Sequence, residues 1–461
     1  MIVIGVATSC PDGRQMKYLG ILSRRAGVLV LSAGLVMLGA ACGSTGSGSG
    51  TSSSSSSSPS SITVAVAYPA PPQALLNQFT KQTGIKVNWV NIGWDDLQTK
   101  IAAAMSANSY FADAADVDWS KVGEYQKTGW FLPLNTYFNV TSLKPDMPQL
   151  NTFVSDNELM GMPFDSSFLV TTVNTKDFAK AGITTMPTTL AEFTADLQKV
   201  GKANGMASPL DIHLATAEGL STCWYQMTAA FGGQVLTAQD SPAFTSPSSP
   251  GYQAMTWMVN AYKSGLVPKA NINESDYQGF TTEMAKNRVA AELCDYSGSV
   301  ASIYNVPSSS SVVNQTEYIP TPGAAGVGLN VANPDGIGIP KTAKNVAGAV
   351  KFIQWFTNTE NQATWAGLQG PKNVVSTFPL PASLSSFDLM IKAGNIEQAS
   401  QLSAILKAHA QAPFPNGAPP WYVQFSAAVQ TNIHEAAAGQ ESIQQAVSAI
   451  AAQANQLKSA G

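Results

Sequence analysis

The chain has 461 residues, with 25 Lys and Arg against 29 Asp and Glu and a formal charge of −4. Only 12% of it is charged, about half the usual ~25%, and this mild acidity excludes the clustered basic face that a nucleic-acid partner requires. Its three histidines (His213, His409 and His434) lie far apart and no HxxxH, HExxH or CxxC spacing occurs, so no metal site on those patterns and no cofactor is expected.

Residues 1–41 read as an export signal, with Met16 as an alternative start. Lys17, Arg24 and Arg25 form its basic region and 28–41 its apolar stretch, shorter than the ~20 residues of a membrane span. Ser23-Arg24-Arg25 faintly resembles a twin-arginine signal. Leu38-Gly39-Ala40-Ala41-Cys42 resembles a lipobox, so Cys42 is the expected lipidation site and mature N-terminus. Residues 43–61 hold only Gly, Ser, Thr and Pro; they cannot bury apolar surface, and 42–61 is read as a lipid-anchored tether reaching roughly 25 Å. Removing Arg14, Lys17, Arg24, Arg25 and Asp12 leaves 21 bases against 28 acids, a net charge of −7, with Arg288 the single arginine.

The body opens with a strand in which Ile62, Val64 and Val66 alternate, then a helix carrying Leu75, Leu76 and Phe79 on one face. Ile85, Val87 and Trp89 alternate in a second strand. Trp94, Leu97, Ile101 and Met105 repeat at helical spacing, and 115–119 reads as a third strand. Further helices are predicted over 190–204, opened by Thr188 or Thr189 with Glu192, and over 252–263, 345–356, 422–438 and 442–457, with a short strand at 289–293 and a Pro-rich break at 414–421. Strands alternating with helices predict an α/β sheet with crossover units. Two cysteines remain, Cys223 and Cys294; in an oxidising compartment they form either a disulfide or two buried thiols.

An ordered set of blocks then carries a family resemblance. Gln78-Phe-Thr-Lys-Gln-Thr-Gly-Ile-Lys-Val87, Ala115-Asp-Val-Asp-Trp119, Gly129-Trp-Phe-Leu-Pro-Leu134 and Gly161-Met-Pro-Phe-Asp165 precede Gly338-Ile-Pro-Lys-Thr-Ala-Lys-Asn-Val-Ala347 and Phe352-Ile-Gln-Trp-Phe-Thr-Asn-Thr-Glu360. Together, behind a lipobox, they resemble the family 1 extracellular solute-binding proteins of ABC importers, of the carbohydrate-binding type. The resemblance implies a two-lobed periplasmic-binding (type II) α/β fold, each lobe a sheet flanked by helices, with interwoven hinge crossings. Residues 62–164 and 334–382 would build the first lobe, and 165–333 and 383–461 the second. Crossings would fall near 163–167, near 331–338 and within 378–386. The lobes would close on a solute and dock on permease subunits; a monomer, extracytoplasmic and lipid-anchored to the cell membrane, is expected.

A sugar presents a C–H face that stacks on rings and a rim of hydroxyls that donate and accept, so its site needs aromatic platforms beside carboxylates and amides. The candidate ligand-binding residues are Tyr68, Asp118, Trp119, Asp165, Trp224, Tyr296, Trp421 and Tyr422. Trp94, Trp355 and Trp365 read as core and Arg288 as solvated surface. Scarcity of arginine disfavours carboxylate or phosphate solutes, which favour its bidentate fork. The expected ligand is a neutral sugar or oligosaccharide, and no enzyme activity is expected. A polyamine also suits acids with aromatics; a sensor presenting solute to a membrane kinase would have the same sequence. A glycosidase would have to use the Asp116/Asp118 pair.

Overall fold

The computed structural model describes residues 60–274, 282–367, 380–408 and 410–460. The expected export signal, Cys42, most of the tether, His409 and the start of the third crossing lie outside these residues. Among the described residues no helix is long and apolar enough to cross a membrane.

The principal elements, in chain order, begin with β1 (Ser61–Val66), α1 (Gln73–Thr83), β2 (Lys86–Asn91), α2 (Trp94–Ser106) and β3 (Ala114–Asp118). Next come β4 (Met162–Pro163), β5 (Leu169–Asn174), α3 (Leu190–Asn204), β6 (Leu210–Asp211), α4 (Glu218–Ala230), α5 (Pro250–Lys263), β7 (Ala291–Tyr296) and β8 (Thr316–Ile319). The chain ends with β9 (Asp335–Gly338), α6 (Val346–Phe356), α7 (Tyr422–Ala438) and α8 (Ile443–Ala460).

Of the two largest sheets among the described residues, the first has the order β2-β1-β3-β9-β4 and the second β8-β5-β7-β6. In the first, β1 pairs in parallel with β2 and β3, so their carboxyl ends share one edge. There β9, far along the chain, inserts antiparallel beside β3, with Asp335 opposite Asp118 and Ile337 opposite Asp116. Gly338 is required by this fit: a Cβ there would lie 2.6 Å from the Met160 carbonyl oxygen. Asp165 bridges to Pro381 and Phe168 to Ala332, so separate passes of the chain lie side by side between the two sheets.

The local signals explain most boundaries. Thr189 and Glu192 form the capping box of α3, which stops at Gly205 with φ 70°. Helix α5 begins at Pro250, two residues before the expected start, because proline suits a first turn. Strand β7 runs past the apolar stretch to Tyr296, because Thr172 and Ser299 donate hydrogen bonds to the buried Asp295 carboxylate. A bulge interrupts β5–β7 pairing between Val170 and Thr171, and the extra residue is Cys294, at φ 70°. Consequently Leu293 and Cys294 both face the core of α4 and α5, while Glu292 and Asp295 both lie against Tyr304 Oη.

Among the described residues, three apolar clusters hold the body. One lies under the first sheet and includes Phe79, Phe352, Trp355 and Trp365. The largest lies between the second sheet, α4, α5, α7 and α8. The third joins Val170 and Tyr318 to the helices Leu384–Ala393 and Ala399–Ala408. Cys223 of α4 and Cys294 of β7 form a disulfide, the first of the two alternatives open in the sequence. Their separation is 71 residues, a loop length at which loss of the cross-link costs about 2–5 kcal/mol. Replacing both cysteines by alanine is expected to lower the urea midpoint accordingly; an unchanged midpoint would mean the bond contributes nothing to stability.

Candidate functional site

A cavity of about 550 Å³ opens at the carboxyl ends of β1 and β3, the edge where α/β sheets commonly take ligands. Ala67 and Tyr68 follow β1; Asp118 ends β3 and Trp119 and Ser120 begin the next turn. Asn333 and Asp335 enter with β9, Ser167 with the first crossing, and Trp94 with the start of α2. The opposite wall is Glu218, Gly219 and Thr222 of α4 together with Tyr296 at the end of β7. Both sheets therefore contribute.

Carboxylates dominate the electrostatics. Tyr68 Oη lies 2.6 Å from Asp335 Oδ2 and 3.2 Å from Asp165 Oδ2, so its one proton serves one acid at a time. Asp165 accepts from the Asp335 backbone N–H and from Ser167 Oγ, both at 2.7 Å. Burial pushes Asp165 up to about 7, and these donors hold it from rising further. Asp335 lies well above the usual carboxylate range through burial and then the charges of Asp116, Asp118 and Asp165. Asp116 is raised likewise, by burial first and then by Asp118. Asp118 is raised by burial, opposed by the Ser120 N–H at 2.8 Å and Trp94 Nε1–H at 3.2 Å. Across the cavity burial lifts Glu218 to about 7, while Tyr422 and Ser426 donate to it and pull it down.

Of the residues chosen from sequence, Tyr68, Asp118, Trp119 and Tyr296 line this cavity. Trp119 stacks on Phe414 at 6.2 Å, which fixes its ring. Asp165 stands behind the wall, wholly buried, and Tyr422 acts from behind by donating to Glu218. Trp421 is 8% exposed, packs edge-on against Phe425 and does not line the cavity. Trp224 requires correction as a ligand platform. It is fully buried, donates Nε1–H to the Gly251 carbonyl and packs on Phe244, because α4 is buried on every side from Gly219 to Ala230.

Sequence reasoning missed Trp94, Glu218 and Asp335. Trp94 shares the helical spacing of Leu97 and Ile101, which are core, but as the first residue of α2 it is 37% exposed and lines the cavity. Asp335 sits in Asn-Pro-Asp-Gly, which reads as a turn. Among the described residues no group of three or more His, Cys, Asp or Glu is arranged to hold a metal ion. A second cavity of about 550 Å³ lies along Lys176, Lys180, Asn204 and Arg288; no aromatic ring lines it, and Arg288 pairs there with Glu283 at 2.7 Å.

Comparison with known proteins supports the same location in fold space. Residues 64–363 match the profile of the family described as bacterial extracellular solute-binding protein. No curated protein sequence matches the chain. Among solved structures, maltose-bound MalE3 of T. maritima has a TM-score of 0.69 at 17% identity, covering 86% of this chain and 99% of that one. A solute-binding protein of Thermotoga lettingae bound with α-D-tagatose has a TM-score of 0.70 at 20% identity, covering 87% and 100%. The cyclic α-maltosyl-1,6-maltose binding protein of Arthrobacter globiformis has a TM-score of 0.69 at 19% identity, covering 87% and 100%. At such identities the likeness establishes the two-lobed fold.

The raised carboxyls carry a pH signature. Asp165 and Glu218 titrate near 7 when folded and near 4 when unfolded, so the folded state binds more protons between those values. Their contribution is fully present below about pH 4 and is lost as pH rises to about 7, at about 1.4 kcal/mol per pH unit per group. Between pH 8 and pH 5 the melting temperature is expected to rise, and the Asp165→Asn/Glu218→Gln variant to rise less. Superimposable pH profiles would remove both groups from this role.

Proposed function

The chain belongs to the bacterial extracellular solute-binding proteins, and we propose that it is the receptor of an ABC importer for a sugar or oligosaccharide. The observation that carries this reading is the composition of the cleft: four rings (Tyr68, Trp94, Trp119 and Tyr296) interleaved with Asp118, Glu218 and Asp335. Rings stack on the C–H face of a pyranose, and carboxyl groups accept from its hydroxyls. Maltose, tagatose and a cyclic maltosyl-maltose are the solutes named for the three related structures, which is consistent with this chemistry. Solute capture by closure of the two lobes, followed by docking on membrane permease subunits, completes the proposed cycle. The residue assignments proposed are direct contact for Tyr68, Trp94, Asp118, Trp119, Glu218, Tyr296 and Asp335, and support from behind for Asp165 and Tyr422. Asp116 is wholly buried, so the Asp116/Asp118 pair does not offer the two accessible carboxylates of a glycosidase, and binding rather than hydrolysis is the function proposed.

A screen of sugars by thermal shift and tryptophan fluorescence tests the reading. Trp94→Ala is expected to weaken binding of any sugar hit by about 1–3 kcal/mol. Trp421→Ala, whose ring packs on Phe425, is expected to change stability more than affinity. Equal affinities for parent and Trp94→Ala would take Trp94 out of the contact surface, and a screen in which polyamines bind and sugars do not would replace the solute class.

Membrane attachment through Cys42 is proposed from the lipobox and tether. Cys42→Ser is expected to move the protein from the membrane fraction to the medium on fractionation; retention in the membrane would refute lipid anchoring at that residue.

A further inference from the structure

The wall around Asp118 and Asp335 is short of positive charge. These two residues are direct partners across an antiparallel strand pair, an arrangement in which like charges oppose each other and destabilise the sheet. Asp116, two residues before Asp118, shares that face. Among the described residues that line the cavity, none is Lys, Arg or His. Lys121 lies 3.9 Å from Glu124 and acts on Asp118 and Glu218 from outside the wall. His213 packs behind Tyr296, with ring centres 6.5 Å apart.

Acceptor capacity in the wall is unevenly used. Asp118 accepts from Ser120 and Trp94, and Glu218 from Tyr422, Ser426 and Gln430. Asp335, only 8% exposed, belongs to the lining; its Oδ2 accepts from Tyr68, while its Oδ1 is enclosed by protein and has no hydrogen-bond partner.

Resting on the sugar-receptor reading, we propose that the solute is an amine-bearing sugar, its ammonium held by Asp335 and Asp118, in place of the neutral sugar expected from sequence. A hydroxyl hydrogen-bonds to either carboxyl but brings no positive charge that would let both acids ionise. An ammonium supplies it, makes charge-assisted bonds about twice as strong as neutral ones, and is attracted to the faces of Tyr and Trp rings. Ser120, Ser167, Thr222 and Asn333 on the same surface suit the hydroxyl rim of a sugar better than the methylene chain of a polyamine.

The test is isothermal titration calorimetry of the full chain at pH 7 in low salt. The panel pairs glucose, galactose and mannose, and the β-1,4-linked glucose dimer, each with its 2-amino-2-deoxy counterpart and the N-acetylated form of that counterpart. An amine member is expected to bind at least 10-fold more tightly than both neutral partners, about 1.4 kcal/mol. Asp335→Asn is expected to cost the amine at least 10-fold more affinity than it costs the neutral partner, a difference that a merely destabilising change, which weakens both alike, would not give. Neutral members binding as tightly as the amines, or more so, would overturn the amine assignment and leave the sugar receptor standing. Spermidine binding with no sugar bound, or no binding by any compound, would overturn both.

Discussion

Asp118 and Asp335 cannot both ionise in a buried wall unless a cation comes between them, and much of the first lobe's design follows from their being paired. They meet because β9 returns from the second lobe to lie antiparallel beside β3. Asp165, on another pass between the sheets, fixes the Asp335 backbone through its N–H, and Tyr68 spans Asp165 and Asp335. Of the acids that line the cleft, Asp335 thus sits on a segment held by another pass of the chain between the sheets, while Asp118 ends β3 and Glu218 begins α4. Anything altering the charge or protonation of Asp335 acts directly on the backbone that Asp165 holds.

The second lobe meets this acidic edge with a prearranged surface. Glu218 is oriented by three donors from α7, Tyr422, Ser426 and Gln430, so the C-terminal helices support the cleft without lining it. The loop before α7 also reaches the first lobe: a Cβ on Gly123 would lie 2.1 Å from the Ala418 carbonyl oxygen, which only glycine permits. On β7, the bulge at Cys294 puts two consecutive residues on the α4 side, and after it Asp295 turns to the interior and Tyr296 to the cavity.

Elements set by local chemistry could be read from the sequence, and those set by long-range packing could not. Alternation of Ile62, Val64 and Val66 marks β1, and Thr189 with Glu192 marks the start of α3, because the determinants are neighbours in the chain. Tyr68, Asp118, Trp119 and Tyr296 were accessible to the same reasoning, being polar or aromatic residues at strand ends. Trp224 misled because polar and aromatic neighbours suggest a surface, whereas α4 is enclosed by α5, α7 and the sheet and every phase of it is interior. Trp94 misled in the other direction, since helical spacing gives the phase of a side chain but not how far the core extends beneath a helix end. Asp335 and Glu218 become site residues through partners at sequence separations of 267 and 204, Tyr68 and Tyr422, which no local pattern encodes.

The burial of Cys223 and Cys294 has a consequence for the order of events in the protein's biogenesis. Both residues have 0% exposure and lie in the core between α4 and the second sheet. A thiol must meet its oxidant or exchange partner by direct contact, so once this core closes neither sulfur can be reached. The bond must therefore form while the lobe is still open, in a chain already out of the reducing cytosol. A chain that crosses the membrane unfolded satisfies this sequence; one that folds first would seal two free thiols inside the lobe and carry them out with it.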